Sequence, residues 1–145
     1  MKIDLLNEKD IEKYRKDFIK LFLELNIDDV NIINDLYYFL KEKQCICIGA
    51  KENNSLLGFL WAYNRKFAGI ERYHINYFSV SSEHQNRGIG TLLLKKIKEE
   101  VIKSGIKVLD LNVDVSNLLA QKFYKKNSFK TEKILLSLEI GEEDV

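Results

Sequence analysis

Seven consecutive residues, Gln85, Asn86, Arg87, Gly88, Ile89, Gly90 and Thr91, carry the chemistry that is easiest to name in this chain. Two glycines one residue apart meet the start of a helical pattern at about Ile89. They remove side chains that would keep a ligand away from the backbone. The first N–H groups of a helix have no partner inside it, and the helix dipole puts positive potential at the same end. Phosphate binds at such a place. The segment therefore predicts a pyrophosphate site, with Arg87 as a fixed positive charge at its lip. A tight turn whose glycines serve only steric needs is the alternative for G-x-G alone. The dinucleotide fingerprint fails because position 93 is Leu, and the phosphate loop fails because no Lys follows Gly90. Context strengthens the site reading. Gln85 stands three residues before Gly88, Phe78-Ser79-Val80 closes a strand just upstream, and a helix and then a strand follow.

The elements around this turn can be read from periodicity. Lys2–Leu6 predicts a short strand. Ile11, Tyr14, Phe18, Leu21, Phe22 and Leu25 recur at helical spacing over 8–25, and Val30, Ile33, Leu36, Tyr37 and Leu40 do so over 29–43. Residues 44–51 and 56–63 flank Asn53-Asn54-Ser55 and predict an antiparallel hairpin. Residues 72–82 predict a long strand and 89–104 a helix, closed by Gly105 in the left-handed region. Residues 107–115 predict a buried strand. Asn117 is placed to cap a helix over Leu118–Lys126. A last strand is expected over 129–140, and the polar tail 141–145 is expected to fray. The order β-α-α-β-β-β-α-β-α-β is a mixed α/β arrangement, antiparallel first and then crossing over through helices.

On these residues the chain resembles the GNAT superfamily of acyl-CoA-dependent N-acetyltransferases. Gln85, Gly88 and Gly90 fill each fixed position of that family's Q/R-x-x-G-x-G/A signature. A second match follows at the right distance: a strand over 109–115, Asn117, Ala120, Phe123-Tyr124 and Phe129. The resemblance is strong from about 73 to 140 and weaker before. One departure occurs: the family has Gly just before the last aromatic, and here Asn127-Ser128 precede Phe129. Asn tolerates the left-handed region best among non-glycine residues, so Asn127 is expected to end the helix there.

The resemblance implies a single acetyltransferase domain over 1–145, of α/β class with a mixed sheet whose fourth and fifth strands splay. It implies acetyl-CoA as the acetyl donor, with no metal. The pantetheine arm would lie between those strands on the backbone of Phe78, Ser79 and Val80. The pyrophosphate would sit on the amides from Arg87 to Thr91, and Gln85 and Asn86 would also bind the cofactor. Asn117 would hydrogen-bond the arm. Lys122 and Lys125 would reach the adenosine phosphate, though a solvated helix face explains them equally well. The reaction would be direct attack of a primary amine on the thioester.

That reaction makes two demands. The amine must be neutral, and one with a pKa of about 10.4 is only about 0.04% neutral at pH 7, so a base helps. The leaving thiolate needs a proton or a hydrogen bond, and the family places that donor at Tyr124. A phenol at about 10 against a thiol at about 8.5 makes full transfer uphill by roughly 2 kcal/mol. Core packing is the other reading of Tyr124. His74, six residues before Val80, holds the strand position where the histone-acetylating branch carries a glutamate. Neutral imidazole can take a proton there. A half-exposed strand histidine without a role is the alternative. Asn76 falls on the same face by period two, and Glu71 and Asp114 are weaker candidates for the base.

Other residues carry less. Cys45 and Cys47 share a strand face without further clustered ligands, so burial fits them better than metal. His84 reads as a turn residue. Asp28 or Asp29 suits a helix cap, and with Asp35 they lie near the helices that shape an acceptor pocket. Tyr37, Tyr38, Trp61 and Phe67 can line that pocket or fill the core. The composition of the 145-residue chain is globular, with 46% hydrophobic and 31% charged residues and a net charge of +1. A nucleic-acid binder usually shows a basic excess, so that class ranks low. No long apolar run predicts a membrane span. Without a secretory pattern, a cytoplasmic location is expected. Many relatives pair, so a homodimer is expected. A non-catalytic acyl-CoA-binding sensor is the alternative function.

Overall fold

The computed structural model describes residues 1–144, and Val145 lies outside the described residues. Residues 1–112 form one compact unit, and a second begins at Val113. No helix among the described residues is long and apolar enough to cross a membrane.

In the first unit, strand β1 (Lys2–Leu6) ends at Asn7. Asn7 starts helix α1 (Glu8–Lys13) through a capping box. Its Oδ1 accepts from the N–H of Lys9 and Asp10, while Asp10 accepts from the N–H of Asn7 at 2.9 Å. The sequence predicts one helix over 8–25. The structure breaks it at Tyr14, whose φ of −105° and ψ of 23° leave the helical region, and α2 follows over Arg15–Glu24. Ile11, Phe18, Leu21 and Phe22 stay buried across the break, so the periodicity carries no trace of it. Helix α3 spans Asn31–Lys41; its N-cap is Val30, without a side-chain cap, so neither Asp28 nor Asp29 holds the cap position expected of them, although Asp29 accepts from the Asn31 N–H at 2.9 Å.

Strands β2 (Ile46–Glu52), β3 (Ser55–Phe67) and β4 (Ile70–Val80) form an antiparallel meander beside β1. Helix α4 (Ile89–Lys103) crosses over to β5 (Leu109–Leu111), which pairs parallel with β4. The result is a five-stranded mixed sheet in the order β1-β2-β3-β4-β5. Its two faces follow the strand alternation. Cys47, Phe59 and Trp61 point to α1, α2 and α3, where Phe59 stacks on Phe18 and Phe22 at 5.1 and 4.9 Å. Their neighbours Ile48 and Leu60 are also fully buried, on the face that α4 covers with Ile89, Leu93, Leu94, Ile97 and Val101.

Two expected strands are corrected. The fifth strand, predicted over 107–115, has three residues, and Val113 and Val115 are exposed. Residues 129–140 form no strand. An apolar run becomes a strand only where a neighbouring edge takes its backbone groups. No sixth member joins the sheet among the described residues, and Leu135 and Leu136 are exposed.

The second unit contains helix α5 (Leu118–Lys126), which Asn117 caps by accepting from the Ala120 N–H at 3.1 Å. A single turn spans Glu142–Asp144. Asn127 closes α5 as its C-cap, as expected, but not in the left-handed region. Asn127 has φ −93°, and Ser128 takes the left-handed position at φ 72°. The Ser128 N–H bonds the Lys125 carbonyl at 3.1 Å, and the Phe129 N–H bonds the Tyr124 carbonyl at 3.0 Å. That is a Schellman motif, completed by the Tyr124–Phe129 ring contact at 5.4 Å. Asn127 instead sends its Nδ2 to the Phe123 carbonyl. Helix α4 ends in the same motif, but with Gly105 at φ 75°. Ser at that position carries the left-handed cost that glycine avoids. Ser128→Gly is therefore expected to stabilise the protein by about 0.5–1 kcal/mol, read as a higher denaturation midpoint at unchanged slope.

Candidate active site

The predicted phosphate turn leaves β4 at Val80 and reaches α4 through a single helical turn over Ser82–His84. Gln85 ties the two ends together: its Nε2 donates to the Val80 carbonyl at 2.9 Å. Asn86 is left-handed at φ 64°, and so is Gly88 at φ 74°. Gly88 is the N-cap of α4 and supplies no side-chain cap. The first-turn amides of Gly88, Ile89, Gly90 and Thr91 thus keep the donor role that helix geometry leaves open. Ile89, 2% exposed, anchors this end in the core. A Cβ built on Gly88 would meet nothing within 4 Å, so the space in front of the helix end is open. The chain therefore has the backbone donors and the clearance that a pyrophosphate needs.

The Arg87 side chain is held by an acidic neighbour. Its two terminal nitrogens grip the Glu52 carboxylate at 3.0 Å each, and one also donates to His84 Nδ1 at 3.1 Å. The guanidinium hydrogen bonds and charge hold the Glu52 carboxyl below its ordinary range. The fork fixes the turn to the end of β2 and offsets the positive charge at the lip. His84 is a turn residue, as expected, and accepts from Arg87.

Upstream, β4 carries a bulge. Ile75 faces Ala62 and Tyr77 faces Trp61, so Asn76 is one residue too many for β3. A bulge bends and twists its strand. The extra residue also breaks the period-two relation that placed Asn76 on the face of His74. Beside the bulge, β4 and β5 pair only over Tyr73–Ile75 and Leu109–Leu111, while β4 runs on to Val80. β5 ends at Leu111, so the paired stretch of the fourth and fifth strands is three residues long. Phe78 and Val80 are half-buried on β4 beyond it. Ser79 is buried on the α2 face, and its Oγ donates to the Leu21 carbonyl at 2.9 Å.

His74 is not the half-exposed residue of the alternative reading. It is 6% exposed, lies opposite Asp110 in the β4–β5 register, and brings Nδ1 to 2.7 Å from Asp110 Oδ1. Arg72 reaches the other oxygen, Oδ2, at 3.2 Å, and Arg65 lies 3.4 Å from it. Burial works against the Asp110 charge, but the bonds from His74 and Arg72 and the charge of Arg65 win and hold its carboxyl low. Sequence reading missed Asp110. Its only signal is a charged residue at the centre of the apolar triplet Leu109-Asp110-Leu111.

The remaining candidates are spread more widely. Glu71, Asp28, Asp29 and Asp35 are exposed. Trp61 is core, Tyr37 is partly buried against the core cluster, and Tyr38 is exposed. Phe67 lies under Arg65 and Arg72 at 5.1 and 5.7 Å. Cys47 is fully buried, which pushes its thiol well up, and partial burial takes Cys45 to about 11. Asn117, Tyr124, Lys122, Lys125 and Asp114 belong to the second unit. Within it Lys122, Lys125 and Asp114 are exposed, and Tyr124 stands between Phe123 and Phe129, each at 5.4 Å. Burial pushes the Tyr124 phenol up to about 12.

Comparison with known proteins agrees with this geometry. An uncharacterised N-acetyltransferase of Methanocaldococcus jannaschii is 26% identical over 91% of the chain. The chain spans 65% of that relative's length. A ribosomal-protein-alanine N-acetyltransferase from Brucella melitensis has the same fold, with a TM-score of 0.74 at 16% identity over 97% of this chain and 100% of that one. So does the aminoglycoside N-acetyltransferase AAC(6')-Iy in complex with CoA, with a TM-score of 0.77 at 16% identity over 97% of this chain and all of that one. The acetyltransferase (GNAT) family model matches residues 9–129. With that match across the phosphate turn, the bulged strand and α5, this chain belongs to the GNAT acetyltransferase family.

Proposed function

We propose that the chain transfers the acetyl group of acetyl-CoA to a primary amine by direct attack. The observation that carries this reading is the turn at Gly88, with open space before the α4 amides, just beyond the end of β4. From Ile75 to Val80 the strand runs about 17 Å at 3.3 Å per residue. An extended pantetheine arm covers such a span, with the pyrophosphate on the amides from Arg87 to Thr91 and the thioester near the bulge. His74 takes the proton of the amine as the N–C bond forms and the C–S bond breaks. Tyr124 donates a hydrogen bond to the sulfur, and Asn117 bonds the arm. The two units work in this proposal as one acetyltransferase domain, cytoplasmic and paired as a homodimer, for which sedimentation at micromolar concentration is the test.

The acceptor is proposed as an amine on a small molecule or a protein. Relatives of this fold include one named for an aminoglycoside and one for a ribosomal-protein alanine. The test is release of free thiol from acetyl-CoA in the presence of an aminoglycoside, a polyamine or a peptide with N-terminal alanine. Amine-dependent release is expected with at least one. Binding of acetyl-CoA without release across the panel would favour a sensor instead.

A further inference from the structure

We propose that Asp110 is a positioning residue for the reaction: it holds His74 with the proton on Nδ1, so that Nε2 presents its lone pair to the attacking amine. This rests on the reading of His74 as the base. The carboxylate lies 2.7 Å from Nδ1, and only a donor there satisfies it, because an ionised carboxylate accepts and does not donate. The groups around it enforce the assignment. Arg72 occupies Oδ2 from β4, and Arg65 approaches both oxygens from β3 at 3.4 and 3.5 Å. Both guanidinium groups keep the carboxyl ionised and leave Oδ1 directed at His74. The Tyr63 ring meets the imidazole edge-on at 5.5 Å and limits its rotation. The pair sits in the short paired stretch of β4 and β5, two residues from the bulge at Asn76.

In the reaction the amine nitrogen bonds the acetyl carbon, the electron pair of the C–S bond leaves on sulfur, and the amine proton passes to Nε2. Asp110 stays ionised and stabilises the imidazolium that results.

Asp110→Asn tests this. The two arginines can only donate, so they draw the amide oxygen and turn the amide NH2 towards Nδ1. His74 then carries its proton on Nε2 and cannot accept another. The chain has two histidines, so nitrogen-15 spectra of the full chain at pH 8 resolve both rings, and His84→Gln assigns them. The wild type is expected to show the Nδ1–H form of His74, and Asp110→Asn the Nε2–H form. Thiol release with whichever panel amine is active is expected to fall at least about 100-fold in kcat in Asp110→Asn, with KM for acetyl-CoA little changed. Asp110→Glu is expected to recover the wild-type form in part. An Nε2–H form in the wild type overturns the proposal, even if the variants do not fold. An unchanged kcat in His74→Gln overturns the reading of His74 as the base. A loss in His74→Gln with neither the tautomer nor kcat altered in Asp110→Asn overturns the role of Asp110 alone.

Discussion

Replacing Gly88 by Trp is expected to abolish acetyl-CoA binding in calorimetric titration while the protein stays folded. The two halves of this expectation have separate causes. Binding is lost because the indole fills the open space in front of the α4 amides, where the pyrophosphate must approach. The fold survives because a Cβ at this position meets nothing within 4 Å, so no packing is disturbed. What remains is the left-handed backbone at φ 74°, which costs a non-glycine residue about 1–2 kcal/mol. That is affordable for a domain of ordinary stability. Gly88→Ala separates the effects, since it carries the backbone cost without the bulk. Its affinity is expected to fall about tenfold or less, against at least about 100-fold for Trp, a difference of roughly 1.4 kcal/mol. Circular dichroism and a melting curve check the fold. Equal binding by wild type and Gly88→Trp would remove the turn from the site.

The turn is also the part of the molecule that the sequence states most openly. Its meaning is local: two glycines, a helix start and a strand end lie within about a dozen residues, and each has one strong conformational preference. The capping of α5 by Asn117 and the left-handed Gly105 are local in the same way. What stayed hidden depends on register. The bulge at Asn76 has no glycine to announce it, and a period-two argument running through it puts the wrong side chain beside His74. The pairing of His74 with Asp110 joins residues 36 apart, and only the parallel register of β4 and β5 brings them together. Ser128 shows the limit of preference scales. Asn is the better left-handed residue, but the helix ends where its last carbonyls are satisfied, and that set the left-handed position one residue later. The break at Tyr14 is silent because the buried face continues through it.

The second large effect is expected at Tyr124, and its size discriminates between two mechanisms. Tyr124→Phe keeps the ring and its 5.4 Å contacts with Phe123 and Phe129, and removes only the hydroxyl. If Tyr124 transferred a full proton to the leaving sulfur, kcat would fall by about 10²–10⁴, the range for general acids. Burial argues against that step. A phenol at about 12 facing a thiol at about 8.5 makes complete transfer uphill by roughly 5 kcal/mol. A hydrogen bond to the developing thiolate needs no transfer. Bonds to charged groups contribute about 1.5–3 kcal/mol, which corresponds to about 10- to 100-fold in rate. The expected result is therefore a fall in kcat of that size, with KM for acetyl-CoA little changed, because the sulfur becomes charged only as the C–S bond breaks. A donor with so high a pKa also stays protonated through the alkaline range. The rate of the wild type should then show no loss near pH 10 that Tyr124→Phe lacks. A shared alkaline limb in both proteins supports the hydrogen-bond role, and a limb present only in the wild type would show that Tyr124 itself gives up its proton there.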